Sequence, residues 1–349
     1  GGSSSINNAW QQMREAGATA RAMLVAAAAE QWQVAAGEIT VSNGRVRHAA
    51  SQRESRFGAL VSAAARLPVP AKVALKSPQD FVYIGRPLPR TDGATKSRGA
   101  AQYTIDMRLP GMRTAVMLHP PRFGATPATV DDSAARASVG VHAVLRFDEG
   151  VAVVADSFWH ALRGREALKV SWNDSTAVKL DSDAQRHDYR ERAARAGFAL
   201  RNDGDTAAAL SKASSVIEAL YEVPYLAHAS LEPMNCVAQL GKDTCELWYG
   251  AQSLTSDQAK VAALLGMAPG QVKINQLFAG GSFGRRADIG AGYVLETVRI
   301  AQALGDGLPV KLQWTREDDM RGGRYRPAAT HALRGAVDED GGVLAWQQR

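Results

Sequence analysis

The chain has 349 residues, of which 46% are hydrophobic and 22% are charged. That composition excludes a disordered or collagen-like chain, and the length predicts two or three folded domains. The formal net charge is +6, but Lys and Arg are dispersed among acidic residues, which argues against a nucleic-acid-binding surface.

The first predicted domain, residues 1–80, starts with an Ala-rich stretch whose apolar positions recur at helical spacing, so we expect a long helix over residues 8–34. Two short runs in which apolar and polar residues alternate flank Asn43-Gly44. Asn-Gly is the dipeptide that most favours a two-residue β-hairpin turn. A second helix is predicted over residues 57–67. The proline-punctuated stretch 68–99 predicts an ordered connector.

The second and third predicted domains, residues 81–175 and 176–349, mix β-type runs with helical ones. The whole chain therefore predicts an α+β fold class. Helices are expected at 158–165, 182–199, 205–213, 256–265 and 288–304, and strands at 113–118, 139–147, 151–155, 168–172, 215–223, 236–240, 244–249, 271–278, 310–315 and around 338–342.

Cysteine and histidine usage argues against a metal site built from local ligands. Cys236 and Cys245 are the only cysteines and form no CxxC pair, and the seven histidines lack HxxxH or HxH spacing. Any iron-sulfur cluster would then lie on another chain. The longest apolar stretch, residues 22–29, is too short to span a membrane.

A glycine-rich stretch, residues 278–286, lies between a predicted strand and a predicted helix. Its glycines permit close backbone approach, and its free amides can hold an anion. A strained turn without a ligand is the alternative interpretation. The sequence alone therefore marks this stretch as a candidate site without deciding its chemistry.

The same stretch satisfies Gly-x-Ser-x-Gly, the pattern of a serine hydrolase in which Ser282 would be the nucleophile. Asp318 or Asp319 and His331 follow it in the required order. Against this hypothesis, nearby glycines disfavour the helix that should begin at once after the nucleophile.

Four ordered motifs favour a different interpretation. Their order and spacing resemble the molybdenum-binding subunits of the xanthine oxidase family, particularly the isoquinoline 1-oxidoreductase and aldehyde dehydrogenase types. The motifs are His228-Ala-Ser-Leu-Glu232-Pro-Met-Asn235, Trp248-Tyr-Gly-Ala-Gln252, Gly280-Gly-Ser-Phe-Gly284-Arg-Arg, and Trp314-Thr-Arg-Glu-Asp-Asp-Met320 with Tyr325-Arg-Pro327.

The resemblance extends over essentially the whole chain. Residues 81–175 resemble the a/b hammerhead domain of that family, residues 1–80 part of a molybdopterin-binding domain, and residues 176–349 the molybdopterin-binding domain with its glycine-rich loop. The chain opens without Met, so we expect it to be an internal piece of a longer polypeptide. We expect it to be inactive alone because the general-base glutamate of that family is not found in it.

The resemblance implies an oxidoreductase subunit that hydroxylates an N-heterocycle or oxidises an aldehyde, with water as the oxygen source. The implied cofactor is molybdopterin with molybdenum, carried as the cytosine dinucleotide. The implied partners are a small iron-sulfur subunit, an aromatic small-molecule substrate, and a cytochrome or other electron acceptor. The implied compartment is the periplasm, with the cytoplasm as the alternative.

Site residues are implied in the same way. Gln252 resembles a glutamine that hydrogen-bonds an oxo ligand of molybdenum, a role that suits a neutral amide NH2 group; a strand-end glutamine that bonds its own loop is the alternative. The residues implied to contact the cofactor are Gly280, Gly281, Ser282, Phe283, Gly284 and Arg285 in the glycine-rich loop, and Gly2, Ser3 and Ser4 in a Gly-Ser loop near the N-terminus.

Further residue roles have an open alternative. The Gly-Ser loop near the N-terminus would contact the cofactor, or would be a linker left where the chain was cut. Arg285 would pair with a phosphate if it points inward, and would be a surface residue otherwise. His228 and Glu232 would shape a substrate funnel, or would be a core histidine and a member of an internal salt bridge.

Two departures from the family pattern bear on the reaction. Arg285 replaces a glycine, and Ala287 replaces a carboxylate that contacts heteroaromatic substrates, so purine-like substrates are not expected. Glu339 lies in a turn-type sequence, so we expect the general-base glutamate of the family outside this chain. A serine hydrolase at Ser282 and a scaffold without a cofactor remain the alternatives.

Overall fold

The computed structural model describes residues 3–349 and contains two compact units, Gly1–Ser97 and Arg98–Arg349. The division between the units falls within the predicted connector 68–99. The domain boundaries expected after residues 80 and 175 stay predictions.

In the first unit, the expected long helix and hairpin are confirmed. Asn43 and Gly44 have φ values of 49° and 72°, as a two-residue hairpin turn requires. Ala28, Val46 and Leu60 are buried where the helices pack on the sheet. The elements are α1 (Ser5–Trp32), β1 (Ile39–Ser42), β2 (Arg45–His48), β3 (Arg53–Arg56), α2 (Phe57–Ala64) and α3 (Gly93–Ser97).

The second unit mixes helices and strands, which confirms the expected fold class. None of the helices in residues 3–349 is long and apolar enough to cross a membrane. The elements of this unit are β4 (Arg113–Leu118), β5 (Thr126–Asp131), α4 (Ser133–Arg136), β6 (Val141–Phe147), β7 (Gly150–Ala155), α5 (Phe158–Glu166), β8 (Lys169–Asn173), α6 (Ser182–Ala193), α7 (Thr206–Lys212), β9 (Val216–Val223), β10 (Asn235–Leu240), β11 (Cys245–Tyr249), α8 (Leu254–Leu265), β12 (Val272–Gln276), α9 (Gly292–Leu304), β13 (Val310–Gln313), α10 (Arg316–Arg321), β14 (Ala329–Val337) and β15 (Val343–Gln348).

Residues 338–342 form the turn that joins β14 and β15, as the turn-type sequence around Glu339 predicts, and the Asp338 carboxylate accepts hydrogen bonds from the backbone N–H groups of Asp340 and Gly342. Two helix bounds expected for this unit are wrong. Helix α6 ends at Ala193 rather than at residue 199. Helix α9 begins at Gly292 rather than at Asp288. The Asp288 carboxylate accepts from the N–H groups of Gly290 and Gly292, which holds this glycine-rich stretch in a turn instead of a helix.

A seven-stranded sheet in the order β12-β11-β10-β13-β4-β7-β6 forms the centre of the second unit. It combines strands from the predicted domains 81–175 and 176–349. Val298, Ile300 and Ala301 of α9 are buried with Cys236 and Leu312 of the sheet. Two smaller sheets, β15-β14-β9 and β5-β8, complete the unit.

Gly150 lies where β7 passes the end of β4, and an added Cβ atom there would come 2.3 Å from the backbone oxygen of Leu118. Its φ of 146° also disfavours other residues. We therefore expect Gly150→Ala to lower the free energy of unfolding by roughly 2–4 kcal/mol, measured by denaturant titration. Gly197→Ala, at a position with open space around it, is the control. Equal stabilities of the two variants would contradict this strand packing.

Candidate functional site

The sheet brings the four sequence motifs to one edge. Strand β11 is parallel to β12, whereas β10 is antiparallel to both β11 and β13. The start of β10 and the ends of β11, β12 and β13 therefore share that edge. The segments attached there are 228–234, 250–253, 277–286 and 314–320, which contain the motif residues.

A buried ion pair joins these segments. Glu232 is 7% exposed and Arg286 is 1% exposed, and their side chains lie 3.0 Å apart. The Glu232 carboxylate also accepts hydrogen bonds from the Gly280 amide, the Ile105 amide and the Asn235 side chain. The internal salt bridge, one of the two interpretations of Glu232, is thus the arrangement that the structure contains.

Arg286 fixes the glycine-rich loop from within. Its guanidinium donates to the carbonyl oxygens of Gly281 at 3.0 Å and Glu232 at 3.1 Å, and its Nη1 lies 3.5 Å from the Gly250 carbonyl. Sequence reasoning did not single out Arg286. The available signal was a second arginine directly after the loop, together with an acidic residue in a neighbouring motif.

The loop passes so close to Glu232 that a Cβ atom at Gly280 would lie 2.5 Å from the Glu232 Cβ atom. Gly281, Phe283 and Gly284 have φ values of 97°, 57° and 100°. Whereas the Gly280 amide donates to Glu232, the amides of residues 281–284 donate no hydrogen bond to a described residue. Consecutive unpaired amides of this kind can hold an oxygen-rich ligand.

Gln252 and Ser282 meet across the ends of β11 and β12. The Ser282 hydroxyl donates to the Gln252 side-chain oxygen and accepts from the Arg286 amide at 3.0 Å. Gln252 is exposed, and its NH2 group donates no hydrogen bond within residues 3–349. Its oxygen is thus anchored while its donor side stays available.

The contacts of Ser282 do not support the hydrolase alternative. Its hydroxyl is bonded to Gln252 instead of a histidine, and His331 lies in β14 beside Gln348. The two candidate acids, Asp318 and Asp319, pair with arginines. Ser282 is followed by turns and not by a helix, so the strand-turn-helix geometry of a nucleophile elbow is not formed.

The other predicted residues lie in different surroundings. His228 is half-buried, and its ring is within reach of Gly284, where an added Cβ atom would lie 3.8 Å from Nε2. Arg285 is 4% exposed and lies over the Trp314 ring, with 5.3 Å between its guanidinium carbon and the ring centroid. Ser3 and Ser4 directly precede α1, and Gly2 lies outside the described residues.

Comparison with known proteins finds similarity to a cofactor-binding family and to several oxidoreductases. A family described as molybdopterin cofactor-binding domain matches residues 187–349. The chain is 30% identical to isoquinoline 1-oxidoreductase subunit beta of Brevundimonas diminuta, over 95% of this chain and 48% of that protein. It is 29% identical to a membrane-bound aldehyde dehydrogenase (pyrroloquinoline-quinone) of Gluconacetobacter polyoxogenes, over 99% of this chain and 46% of that protein.

Among solved structures, quinoline 2-oxidoreductase from Pseudomonas putida 86 matches with a TM-score of 0.60 and 20% sequence identity. The match covers 75% of this chain and 38% of that chain, and it supports the fold. The chain spans about half the length of these two relatives.

The ion pair gives a direct test of how the loop is held. Glu232→Gln should leave the Arg286 charge buried without a counter-charge and lower the free energy of unfolding by about 3–5 kcal/mol, measured by urea titration of the full-length protein. Asp188→Asn, which breaks the exposed pair with Arg192, should leave the midpoint unchanged. A midpoint for Glu232→Gln equal to that of the control would show that the pair does not hold the loop.

Proposed function

Since the chain belongs to the xanthine oxidase family of molybdenum-binding subunits, we propose that it forms part of the cofactor-binding subunit of an oxidoreductase. The proposed reaction is hydroxylation of an N-heterocycle or oxidation of an aldehyde, with water as the oxygen source. The observation that carries the proposal is the pairing of Gln252 with Ser282 beside the unpaired amides of residues 281–284.

These residues fit a molybdopterin cofactor by their donor chemistry. The free NH2 group of Gln252 is a neutral donor for a terminal oxo ligand, and it is oriented because its oxygen accepts from Ser282. The amides of residues 281–284 are donors for further oxygen atoms of the cofactor. When bound, the molybdenum centre supplies the two-electron oxidation chemistry.

The protein's own contribution is to hold these donors in place. Ser282 aligns the Gln252 amide, and Gly280 lets the loop lie against Glu232. Phe283 is 77% exposed in the same loop and presents an apolar face beside the donors. A rigid set of donors orients a bound group without reorganisation during the reaction, which is the contribution that a cofactor enzyme requires of its protein.

The finer features of the cofactor and the partners are also proposals. The proposed form of the cofactor is the cytosine dinucleotide, with Gly2, Ser3 and Ser4 as contacts to its phosphates. Iron-sulfur clusters are proposed on a partner subunit, since burial raises the pKa of the Cys245 thiol to about 12 and disfavours the thiolate that a cluster needs. The family resemblance favours the periplasm.

The function predicts the metal and nucleotide content of the full-length protein. Protein purified from its own organism should contain molybdenum and a released pterin nucleotide in near-equal amounts, measured by elemental analysis and chromatography of the nucleotide. The nucleotide released from the pterin should contain cytidine. An intact, folded complex that contains neither molybdenum nor pterin would falsify the proposal.

The glycine-rich loop allows a second test. Gly280→Ala should lower the molybdenum content of the purified complex several-fold, because the new methyl group would come within 2.5 Å of the Glu232 Cβ atom and displace the loop amides. Gly270→Ala, at an open position on the same unit, is the matched control. Full molybdenum occupancy in folded Gly280→Ala protein would show that the loop amides do not hold the cofactor.

A further inference from the structure

A second concave surface lies at the ends of β4 and β13, where a cleft of 1280 Å³ is lined by His119, Arg285, Asp288, Glu296, Trp314 and Gly323, among others. Within the described chain, Gln252 and residues 280–284 do not line this cleft. We infer that the cleft is a binding site for an oxyanion, a carboxylate or a phosphate group, and that Arg285 is its recognition residue.

Arg285 is buried and forms no ion pair with a described residue. Although it is 4% exposed, its guanidinium makes no hydrogen bond or ion pair with any residue of the described chain, and its Nε and Nη1 atoms are shielded from solvent. A buried unpaired charge is strongly unfavourable, since desolvation is not offset by a partner. An anion in the cleft would supply the missing charge.

The acidic residues around Arg285 are engaged with other groups. Asp288 pairs with Arg324 at 2.7 Å, and Asp319 pairs with Arg316 at 2.7 Å. Asp318 in the cleft wall pairs with Arg165 at 2.7 Å. These three carboxylates therefore each pair with an arginine other than Arg285.

Glu296 is engaged as well. Its two carboxylate oxygens contact His119 at 3.0 Å and the Trp314 indole N–H at 2.9 Å. Burial disfavours the charged form of His119, but the Glu296 carboxylate outweighs burial and raises the pKa of His119 above its ordinary value. Both carboxylate oxygens of Glu296 therefore already have partners other than Arg285.

The guanidinium is also held in place in the way a binding group requires. It lies over the Trp314 ring, which the bond to Glu296 fixes. On the other side, an added Cβ atom at Gly323 would lie 2.2 Å from Nη2, so the guanidinium lies directly against the Gly323 backbone. A planar guanidinium held beside an aromatic ring suits a planar carboxylate on an aromatic molecule, and it also suits a phosphate oxygen.

The two sources of the oxyanion are a carboxylate-bearing aromatic small molecule and a phosphate of the pterin nucleotide. The phosphate source rests on the proposed function, whereas the carboxylate source does not. The test uses the full-length protein in its native complex with benzoate and inorganic phosphate as probes and benzamide as the neutral analogue of benzoate. The variants are Arg285→Gln and Arg285→Lys, with Arg186→Gln, which removes an exposed charge outside the cleft, as the control.

If the source is a carboxylate, the wild-type complex should bind benzoate and not benzamide by calorimetry. Arg285→Gln should then lower the affinity for benzoate about 10- to 100-fold, which is the loss expected for a charge-assisted pair. Arg285→Lys should have an intermediate affinity, and the nucleotide content should not change in either variant. If the source is the pterin phosphate, Arg285→Gln should instead lose bound nucleotide relative to Arg186→Gln, and inorganic phosphate should bind only to protein stripped of its cofactor. Either pattern supports the inference.

Two results would overturn it. The first is a wild-type complex that binds neither probe while Arg285→Gln keeps its full nucleotide content. The second is an Arg285→Met variant with a much lower melting temperature in the absence of added ligand, since that would mean that a protein group outside residues 3–349 pairs with Arg285. A complex without molybdopterin but with Arg285-dependent benzoate binding would reject the proposed function and keep the inference.

Discussion

The buried ion pair between Glu232 and Arg286 is the interaction on which the candidate site depends. Removing two charges from water is costly, and the attraction between them offsets that cost only when the remaining donors and acceptors are satisfied. Here they are satisfied by backbone groups of Gly280, Gly281 and Ile105. The pair therefore fixes three separate stretches of chain relative to one another, and the glycine-rich loop takes its shape against it.

The sheet determines which residues the glycine-rich loop contacts. Because β11 and β12 are parallel, their ends place Gln252 opposite Ser282. Because β13 and β4 are also parallel, their ends place Trp314 and His119 together in the wall of the cleft. A rigid sheet with loops at one edge is a common way to hold binding groups, since the loops vary while their ends stay fixed.

The glycine-rich loop presents neutral donors and a cation. Its amides offer neutral hydrogen bonds, whereas Arg285 offers a charge. The Arg285 amide donates to the Ser282 carbonyl oxygen at 2.9 Å, so the backbone that aligns Gln252 also positions the arginine. The chain spans about half the length of the two relatives compared above.

The sequence alone was enough to predict the features that depend on residues close together along the chain. The hairpin at Asn43-Gly44 and the long helix α1 follow from local backbone preference and helical periodicity, and the motif order pointed to the family. The sequence did not reveal β3, whose charged residues lack an alternating pattern, or the late start of α9. The tertiary structure was needed to pair Glu232 with Arg286, which lie 54 residues apart, and to show that Arg285 forms no ion pair within residues 3–349. Such contacts depend on which strand ends share an edge, and no local preference encodes that.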